Sequence, residues 1–234
     1  MAEPRTGTVA YDIEVAGLAW EEIDESTRGY LLERERDPEQ RAMVPERTAL
    51  YPGLGRVIAV SFWEIEKDRG AVFADGKGGK FENWERVPGS KIFRGTEPEI
   101  LARFWKEAAT FRTLVSFNGR GYDGPILMVR SAMLGVAPSR NLAGYRYEVR
   151  DHCDLMDVLA FFGASRGFYS LEYWCRRFDI ESPKALLDGS QVARVYREGR
   201  MEDIAEYCLR DARATADLYR KLSSTVLPLL GAKE

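Results

Sequence analysis

The sequence predicts an α/β fold in which a central mixed sheet is flanked by helices. The first half of the chain contains short runs that alternate apolar and polar residues, and the second half alternates strand-like runs with amphipathic helical segments. The chain has 234 residues, of which 45% are hydrophobic and 30% charged. Because this composition and length suffice to bury one full core, we expect a single domain spanning residues 1–234.

The first predicted elements are a strand and a charged helical segment. Residues 8–14 alternate apolar and polar side chains and include β-branched members, which predicts a strand. Residues 19–47 are strongly charged, with apolar side chains near helical spacing, and predict one or two surface helices. Proline and glycine at 52–53 close this segment. We therefore expect residues 19–55 to form a helical insertion after the first strand.

The remaining elements follow from periodicity and capping signals. Residues 56–64 and 71–74 predict strands, joined to the next element by a flexible glycine-rich connection at 75–80. Thr96 and Glu99 form a capping-box pattern before an amphipathic helix. The apolar run at 113–117 predicts a buried strand. The last predicted elements are helices at about 124–134, 154–162, 170–178 and 201–221.

The composition bears on where the protein is located and on whether it interacts with membranes or nucleic acid. The chain contains no stretch near the roughly 20 apolar residues that a membrane span requires, and its N-terminus lacks the apolar segment of a signal peptide. Three cysteines at wide spacing show no paired pattern for a disulfide or a zinc site. These observations predict a cytoplasmic protein without a membrane partner. The formal net charge of −3 neither requires nor excludes nucleic acid.

A single histidine, His152, limits the metal chemistry that is available. A His-rich zinc site or a two-histidine iron site cannot be built from one imidazole. If the protein is a metalloenzyme, we expect carboxylate ligands, which select hard cations such as Mg²⁺ or Mn²⁺.

Acidic residues occur at three positions that favour a shared site. Asp12 and Glu14 lie two apart on the first strand, so their side chains share one face, although an exposed strand would show the same pattern. Asp123 follows a strand, where α/β proteins place ligands, although a helix N-cap explains it equally well. Tyr207 and Asp211 lie four apart on one helix face, as they also would on a solvated helix.

Taken together, these positions resemble a known enzyme superfamily. Three blocks occur in order: Tyr-Asp12-Ile-Glu14, Asn118-Gly-Arg-Gly-Tyr122-Asp123 and Tyr207-Cys-Leu-Arg-Asp211. They resemble the DEDD, or DnaQ-like, superfamily of 3′–5′ exonucleases, which implies an RNase H-like fold. The segments SFNGRGYD, HCDLMD and KALLDGSQV are similar to a bacterial branch related to the proofreading domain of family-B DNA polymerases. The resemblance covers about 8–18 and 56–222 and leaves 19–55 unmatched.

The resemblance implies an activity and its catalytic residues. Tyrosine at position 207 is similar to the tyrosine form of the superfamily, DEDDy, rather than the histidine form. In this form Asp12, Glu14, Asp123 and Asp211 hold two divalent cations, Mg²⁺ or Mn²⁺, and Tyr207 orients the attacking water. The implied reaction hydrolyses phosphodiester bonds at the 3′ end of single-stranded nucleic acid, with DNA favoured over RNA, and releases 5′-mononucleotides.

A second group of residues is expected to contact the nucleic acid. The backbone N–H of Val15, which stands where many relatives have threonine, is expected near the terminal sugar. Leu18 is expected either to wedge against the terminal base or to pack on the insertion. Asn118 and Tyr122 belong to the second block. The candidate phosphate contacts are Arg120, Arg150 and Lys184.

Other functions fit parts of the same sequence. Gly119-Arg-Gly-Tyr-Asp-Gly124 spells the G-x-G-x-x-G fingerprint of dinucleotide-binding folds, but the carboxylate of Asp123 would repel a bare pyrophosphate at that helix start. We therefore expect no nicotinamide cofactor. Two further alternatives are a non-catalytic nucleic-acid-binding module with a relict acidic site and an RNase H-like endonuclease. The products distinguish them, because an exonuclease releases mononucleotides and an endonuclease releases internal fragments.

Overall fold

The computed structural model describes residues 5–165, 167–182, 187 and 189–231. Its seven strands are β1 (Thr8–Gly17), β2 (Gly55–Glu64), β3 (Arg69–Asp75), β4 (Phe81–Trp84), β5 (Ser90–Gly95), β6 (Thr113–Ser116) and β7 (His152–Asp154). Its α-helices are α1 (Glu25–Arg34), α2 (Pro38–Met43), α3 (Glu97–Ala108), α4 (Asp123–Met133), α5 (Leu155–Leu159), α6 (Leu171–Arg177), α7 (Val192–Arg197) and α8 (Met201–Ser223). Short 3₁₀ segments lie at Trp20–Glu22, Val44–Leu50, Phe161–Gly163, Gly189–Gln191 and Leu227–Leu230.

The strands form one mixed sheet in the order β4-β5-β3-β2-β1-β6-β7. Strands β1, β2 and β3 are antiparallel neighbours, β6 and β7 run parallel to β1, and β5 runs parallel to β3. The predicted mixed α/β sheet is therefore confirmed. Strand β6 pairs with β1 only through Thr8–Ala10, so the second half of β1 extends beyond β6. This uncovered half of β1 carries Asp12 and Glu14.

Helices cover both faces of the sheet with separate apolar clusters. On one face, Ala10 and Ala16 of β1 pack with α7 and α8. On the other face, Val9, Tyr11 and Ile13 pack with α3 and α4. This alternation places the side chains of Asp12 and Glu14 on the α8 face, as the period-two pattern predicts. The long helix α8 is amphipathic and buries its apolar side against β1 and β2.

The segment between β1 and β2 is helical, as predicted for the insertion. Helices α1 and α2 each begin after an aspartate cap, since Asp24 accepts the N–H of Thr27 and Asp37 accepts the N–H of Glu39. The Val44–Leu50 segment is attached to the end of β1 through a 2.8 Å hydrogen bond from Thr48 Oγ1 to the carbonyl of Leu18. The insertion therefore forms one side of the carboxyl end of β1.

Several short elements were not predicted from sequence. Strands β4, β5 and β7 and helix α7 fall in segments that the sequence analysis left as connections. Three of the four residues of β4 are exposed, and β7 is three residues long, so neither shows a clear alternation. Their pairing with neighbours defines them. The predicted capping box is confirmed, because the backbone N–H and hydroxyl of Thr96 both donate to the carboxylate of Glu99.

None of the helices that the structure describes has the length and apolar character to cross a membrane.

Candidate active site

Asp12 and Glu14 project from the uncovered half of β1 towards α8. One oxygen of each carboxylate and the sulfur of Cys208 lie within 4.8 Å of one another. Burial raises the pKa of the Cys208 thiol well above its usual value, so the sulfur stays protonated. The sulfur instead contacts the backbone carbonyl of Asp12 at 3.5 Å and Ser61 Oγ at 3.3 Å. The cation-binding potential of this group therefore rests on the carboxylates.

Asp123 approaches the same part of β1 from the other side. It is the first residue of α4 and is buried, and its carboxylate accepts a hydrogen bond from the backbone of Ile13, between Asp12 and Glu14. This contact is available because β6 ends before it reaches Ile13. Tyr122, rather than Asp123, occupies the N-cap position, so the interpretation of Asp123 as a cap is wrong. Its carboxylate faces the β1 pair instead.

Tyr207 and Asp211 complete the group from α8. They lie one turn apart on the face that packs on β1 and β2, and the hydroxyl of Tyr207 forms a hydrogen bond with the carboxylate of Asp211. Tyr207 is buried, with 6% of its surface exposed, so this face is not a solvated one at this position. The surrounding charged residues pair with each other outside the group, as Arg210 does with Glu206 at 2.9 Å.

The electrostatics of the group show that its charges are held close together in a buried place. Burial, then the charges of Asp211 and Glu14, raises the pKa of Asp12 well above its ordinary value. Burial, then Asp211 and Asp123, does the same to Glu14. Burial, with Asp154 and Asp211, raises the pKa of Asp123 to about 7. The sequence-predicted carboxylates thus act on one another across three separate chain segments.

The residues present fit a divalent cation. Asp12 Oδ2 is buried and has no hydrogen-bond partner. Within the described part of the chain, no lysine or arginine forms an ion pair with Asp12, Glu14 or Asp123. A buried carboxylate oxygen without a partner is costly unless a cation or a proton satisfies it. Carboxylate oxygens are ligands for hard cations such as Mg²⁺ and Mn²⁺, which is the chemistry that this donor set can support.

The predicted contacts to the terminal nucleotide lie around this group in different environments. Val15 is buried beside a bulge in β1, whereas Leu18 is 39% exposed at the edge of the insertion. Asn118 is exposed and adopts a left-handed backbone conformation with φ of 65°. Tyr122 is partly buried, and its hydroxyl donates to the carbonyl of Ala49 at 3.1 Å. Leu18 and Asn118 are therefore the two whose side chains face solvent.

The predicted phosphate contacts are less close to the group. The guanidinium of Arg120 donates to the backbone carbonyls of Gly144 and Glu148, at 3.0 and 2.6 Å, and its side chain is 10% exposed. In this arrangement Arg120 fastens the 142–151 loop rather than presenting its charge to solvent. Arg150 precedes β7, at the opposite end of the parallel strands from the carboxylates, and donates to Gly231. Lys184 lies outside the described residues.

Asp154 and His152, both in the HCDLMD segment, support the loop that carries Asp123. The carboxylate of Asp154 caps α5 and also accepts the backbone N–H groups of Asn118 and Arg120, each at 2.9 Å. His152 is buried and contacts Ser116 Oγ at 2.8 Å. These contacts fix the loop that carries Asp123. The HCDLMD segment was the available signal, but its long-range partners are not visible in sequence.

The glycines of this loop have packing roles. A Cβ atom at Gly119 would lie 2.3 Å from Ser116 Oγ, and one at Gly124 would lie 2.7 Å from the Cβ of Leu142. The G-x-G-x-x-G spelling is thus explained by close packing between the loop, β6 and the 142–151 segment.

Comparisons with known proteins agree with this arrangement. Residues 53–226, well over half of the chain, match the model of a family described as "Predicted 3′-5′ exonuclease related to the exonuclease domain of PolB". A curated DNA polymerase of Desulfurococcus sp. (strain Tok) is 27% identical over 220 residues, which are 81% of this chain and 26% of the polymerase. The chain thus spans about a quarter of this relative.

The fold is also similar to that of a solved structure. The family B DNA polymerase of the hyperthermophilic archaeon Pyrobaculum calidifontis superposes with a TM-score of 0.61 and 19% identity, covering 99% of this chain and 28% of the polymerase. The expected RNase H-like fold is therefore confirmed, with a mixed seven-stranded sheet and flanking helices.

Proposed function

The chain belongs to the family of predicted 3′–5′ exonucleases related to the exonuclease domain of PolB, and from this premise we propose a specific activity. The protein is a metal-dependent 3′–5′ exonuclease of the tyrosine form that removes 5′-mononucleotides from single-stranded ends. DNA is the favoured substrate, because the relatives it resembles are DNA polymerases. The observation that carries the proposal is the buried, unpartnered oxygen of Asp12 within a group of mutually repelling carboxylates.

The carboxylates supply the cation ligands. Asp12, Glu14, Asp123 and Asp211 would hold two divalent cations. Such cations neutralise charge on the scissile phosphate and lower the pKa of a bound water. The carboxylates have to be ionised for this role, and their raised pKa values mean that cation binding competes with protons near neutral pH.

Tyr207 acts on the attacking water by position rather than by proton abstraction. Burial and the charges of Asp211 and Glu14 raise the pKa of the Tyr207 phenol far above 10, so the hydroxyl keeps its proton. Its hydrogen bond with Asp211 fixes the direction of that hydroxyl. A fixed phenol can orient a water molecule for in-line attack, and this positioning accounts for part of the expected rate.

The proposed DNA-binding residues lie around the carboxylates. Exposed Leu18 and Asn118 lie at the ends of β1 and β6, where a terminal nucleotide would have to sit to reach Asp12. Buried Val15 offers its backbone at the same edge. Arg120 would act indirectly, by holding the loop between Asn118 and Asp123 in place.

The test is a digestion of 5′-labelled single strands. A DNA strand and an RNA strand of the same sequence are incubated with Mn²⁺, with Mg²⁺ or with chelator, and the products are separated by length. The proposal expects a ladder that shortens by single nucleotides, faster on DNA, and abolished by chelator. Internal fragments would indicate an endonuclease, and metal-independent binding without hydrolysis would indicate a binding module.

Matched variants locate the activity. Asp211→Asn keeps the shape of the side chain and removes its charge, and we expect at least a hundredfold loss of rate with an unchanged melting profile or a higher one. Asp217→Asn is the control, because Asp217 lies on the same helix but pairs with Arg220 at the surface. Equal loss in both variants would contradict the assignment of Asp211.

A further inference from the structure

Six large aromatic side chains between residues 145 and 173 are exposed. Between 40% and 73% of each side chain is open to solvent. We call this set the aromatic rim; it consists of Tyr145, Tyr147, Phe161, Phe168, Tyr169 and Tyr173. Single exposed aromatics are ordinary, but exposed aromatic side chains that contact one another, as Tyr145 does Tyr147 and Tyr169 does Tyr173, form apolar patches of the kind that mark binding sites.

The rings of the rim are ordered in two groups. In the first, the ring centroids of Tyr145 and Tyr147 are 5.4 Å apart, and Tyr147 lies 5.0 Å from the partly buried Phe162. In the second, Tyr169 and Tyr173 stack at 4.4 Å with nearly parallel planes. Each group is therefore held by ring–ring contacts while one side of its rings faces solvent.

The first group is fastened to the loop that carries Asp123. Arg120 lies three residues before Asp123, and its guanidinium bonds the carbonyls of Gly144 and Glu148. These two carbonyls bracket the segment that contains Tyr145 and Tyr147. The same arginine that closes the active-site loop therefore fixes the position of the first ring group.

Phe168, which directly precedes the second group in sequence, lines a groove beside the loop that carries Asp123. The groove has a volume of about 450 Å³, and Asn118, Arg146 and Asp154 also line it. Helix α6, which carries Tyr173, packs against α8, which carries Asp211. A Cβ atom at Gly167 would lie 2.7 Å from the ring of Tyr169, so this glycine allows the ring to fold back over the chain. Residues of the rim therefore lie both beside the loop that carries Asp123 and on a helix that packs against α8.

Backbone strain is concentrated at the same place. Phe161 and Phe162 both adopt positive φ, 48° and 56°, in succession. Bulky residues in this region are outliers, and such strain persists only where the surrounding structure holds it in place. Here the strained turn directs Phe162 against Tyr147 and leaves Phe161 exposed.

We propose that the aromatic rim stacks against the unpaired bases of the single strand whose 3′ end lies among the carboxylates. Flat π-faces accept any base. Arg146, which lies between Tyr145 and Tyr147 in sequence, is 47% exposed, and its guanidinium pairs with Asp157 at 2.6 Å. Duplex DNA cannot offer its bases to these rings, so the rim selects unpaired ends. The proposal rests on the proposed function and deepens it by naming the surface that recognises the substrate.

The experiment measures binding without turnover. A fluorescein-labelled 15-nucleotide DNA strand, an RNA strand of the same sequence and the corresponding blunt DNA duplex are titrated in chelator, with fluorescence anisotropy as the readout. We expect single strands to bind at least tenfold more tightly than the duplex. The double variant Tyr145→Ala/Tyr147→Ala is expected to weaken single-strand binding at least tenfold, as is Tyr169→Ala/Tyr173→Ala.

Two controls separate stacking from folding. The corresponding tyrosine-to-phenylalanine double variants keep the rings and are expected to bind within about twofold of the parent protein. Tyr30→Ala removes an equally exposed ring from the insertion, where Arg34 lies over it at 5.5 Å, and is expected to leave binding unchanged.

The outcomes are distinguishable from failure of the proposed function. Binding that depends on the rings, without metal-dependent hydrolysis, would support the proposed base stacking by the aromatic rim and contradict the proposed exonuclease activity. Digestion by single nucleotides, with unchanged affinity in both alanine double variants, would contradict base stacking by the aromatic rim and support the exonuclease activity. The rim is also overturned if the parent protein binds no single strand, or if Tyr30→Ala weakens binding as much as the rim variants do.

Discussion

Replacing Asp12 by asparagine is expected to stabilise the metal-free protein while it abolishes hydrolysis. Asp12 lies in a buried group with Glu14, and their nearest oxygens are within 4.8 Å. Its Oδ2 atom has no hydrogen-bond partner. Asparagine removes the charge and keeps the shape, so it relieves repulsion without opening a cavity.

The magnitude follows from Coulomb's law. Two unit charges at 4.8 Å repel by about 3 kcal/mol at an effective dielectric constant of 20. The buried amide that replaces the carboxylate has incomplete hydrogen bonds, and this costs roughly 1 kcal/mol, which reduces the gain from the relieved repulsion. The free energy of unfolding should therefore rise by about 1–3 kcal/mol, which corresponds to a melting temperature roughly 2–12 °C higher for a chain of this length.

The effect depends on pH with a defined sign. The folded-state pKa values of Asp12, Glu14 and Asp123 lie above their unfolded values. The penalty is therefore absent below about pH 4, where the carboxyls are neutral in both states, and it grows as pH rises through the folded-state pKa, which is about 7 for Asp123. The stabilisation by Asp12→Asn should be larger at pH 8 than at pH 5.

The assay is thermal melting in chelator at pH 5 and pH 8, repeated with Mn²⁺. Mn²⁺ should raise the melting temperature of the parent protein at pH 8 but have little effect on Asp12→Asn. Asp151→Asn, which removes an exposed carboxylate before β7, is the control. A lower melting temperature for Asp12→Asn in chelator at pH 8 would refute the reasoning that this charge is strained.

Further predictions concern the supports of the site and the core. Tyr122→Phe removes the hydrogen bond to Ala49 and should lower the free energy of unfolding by about 1 kcal/mol in a denaturant titration. Glu97→Gln breaks the buried two-bond ion pair with Arg130 and should cost about 3 kcal/mol by the same measurement, whereas a loss below 0.5 kcal/mol would show that the pair is dispensable. Burial lowers the pKa of His152 to about 3, below its unfolded value of 6.5, so its contribution is present above pH 6.5 and lost as pH falls towards 3. The stability difference between the parent protein and His152→Gln should therefore shrink over that pH range, and a constant difference would contradict the neutral, buried imidazole.

Much of the framework could be predicted from sequence because it depends on local periodicity. The alternation in β1 correctly separates Asp12 and Glu14 from Tyr11, and the four-residue spacing correctly places Tyr207 and Asp211 on one face of α8. Strong amphipathic patterns and capping signals involve residues that are close in sequence, so they can be recognised without knowledge of tertiary contacts. That these residues converge on one site depends on the fold, and in the sequence only the order of the three blocks indicates it.

The remaining features depend on contacts that are distant in sequence. Arg120 has the composition of a phosphate ligand, but its guanidinium is taken up by carbonyls more than twenty residues away. Asp154 caps the helix that follows it, but its second role as an acceptor for the backbone N–H of Asn118 cannot be read from the sequence. Strand β4 has mostly exposed side chains and exists because β5 pairs with it. Polar side chains with several possible partners are the least predictable from sequence.

The most direct test of the central claim compares linear and circular single-stranded DNA of identical sequence. The purified protein is incubated with each in Mn²⁺, and released mononucleotides are quantified over time. The account predicts that the linear strand is converted to 5′-mononucleotides and that the circle, which has no 3′ end, stays intact. Cleavage of the circle, or release from neither substrate, would contradict a 3′–5′ exonuclease centred on Asp12, Glu14, Asp123 and Asp211.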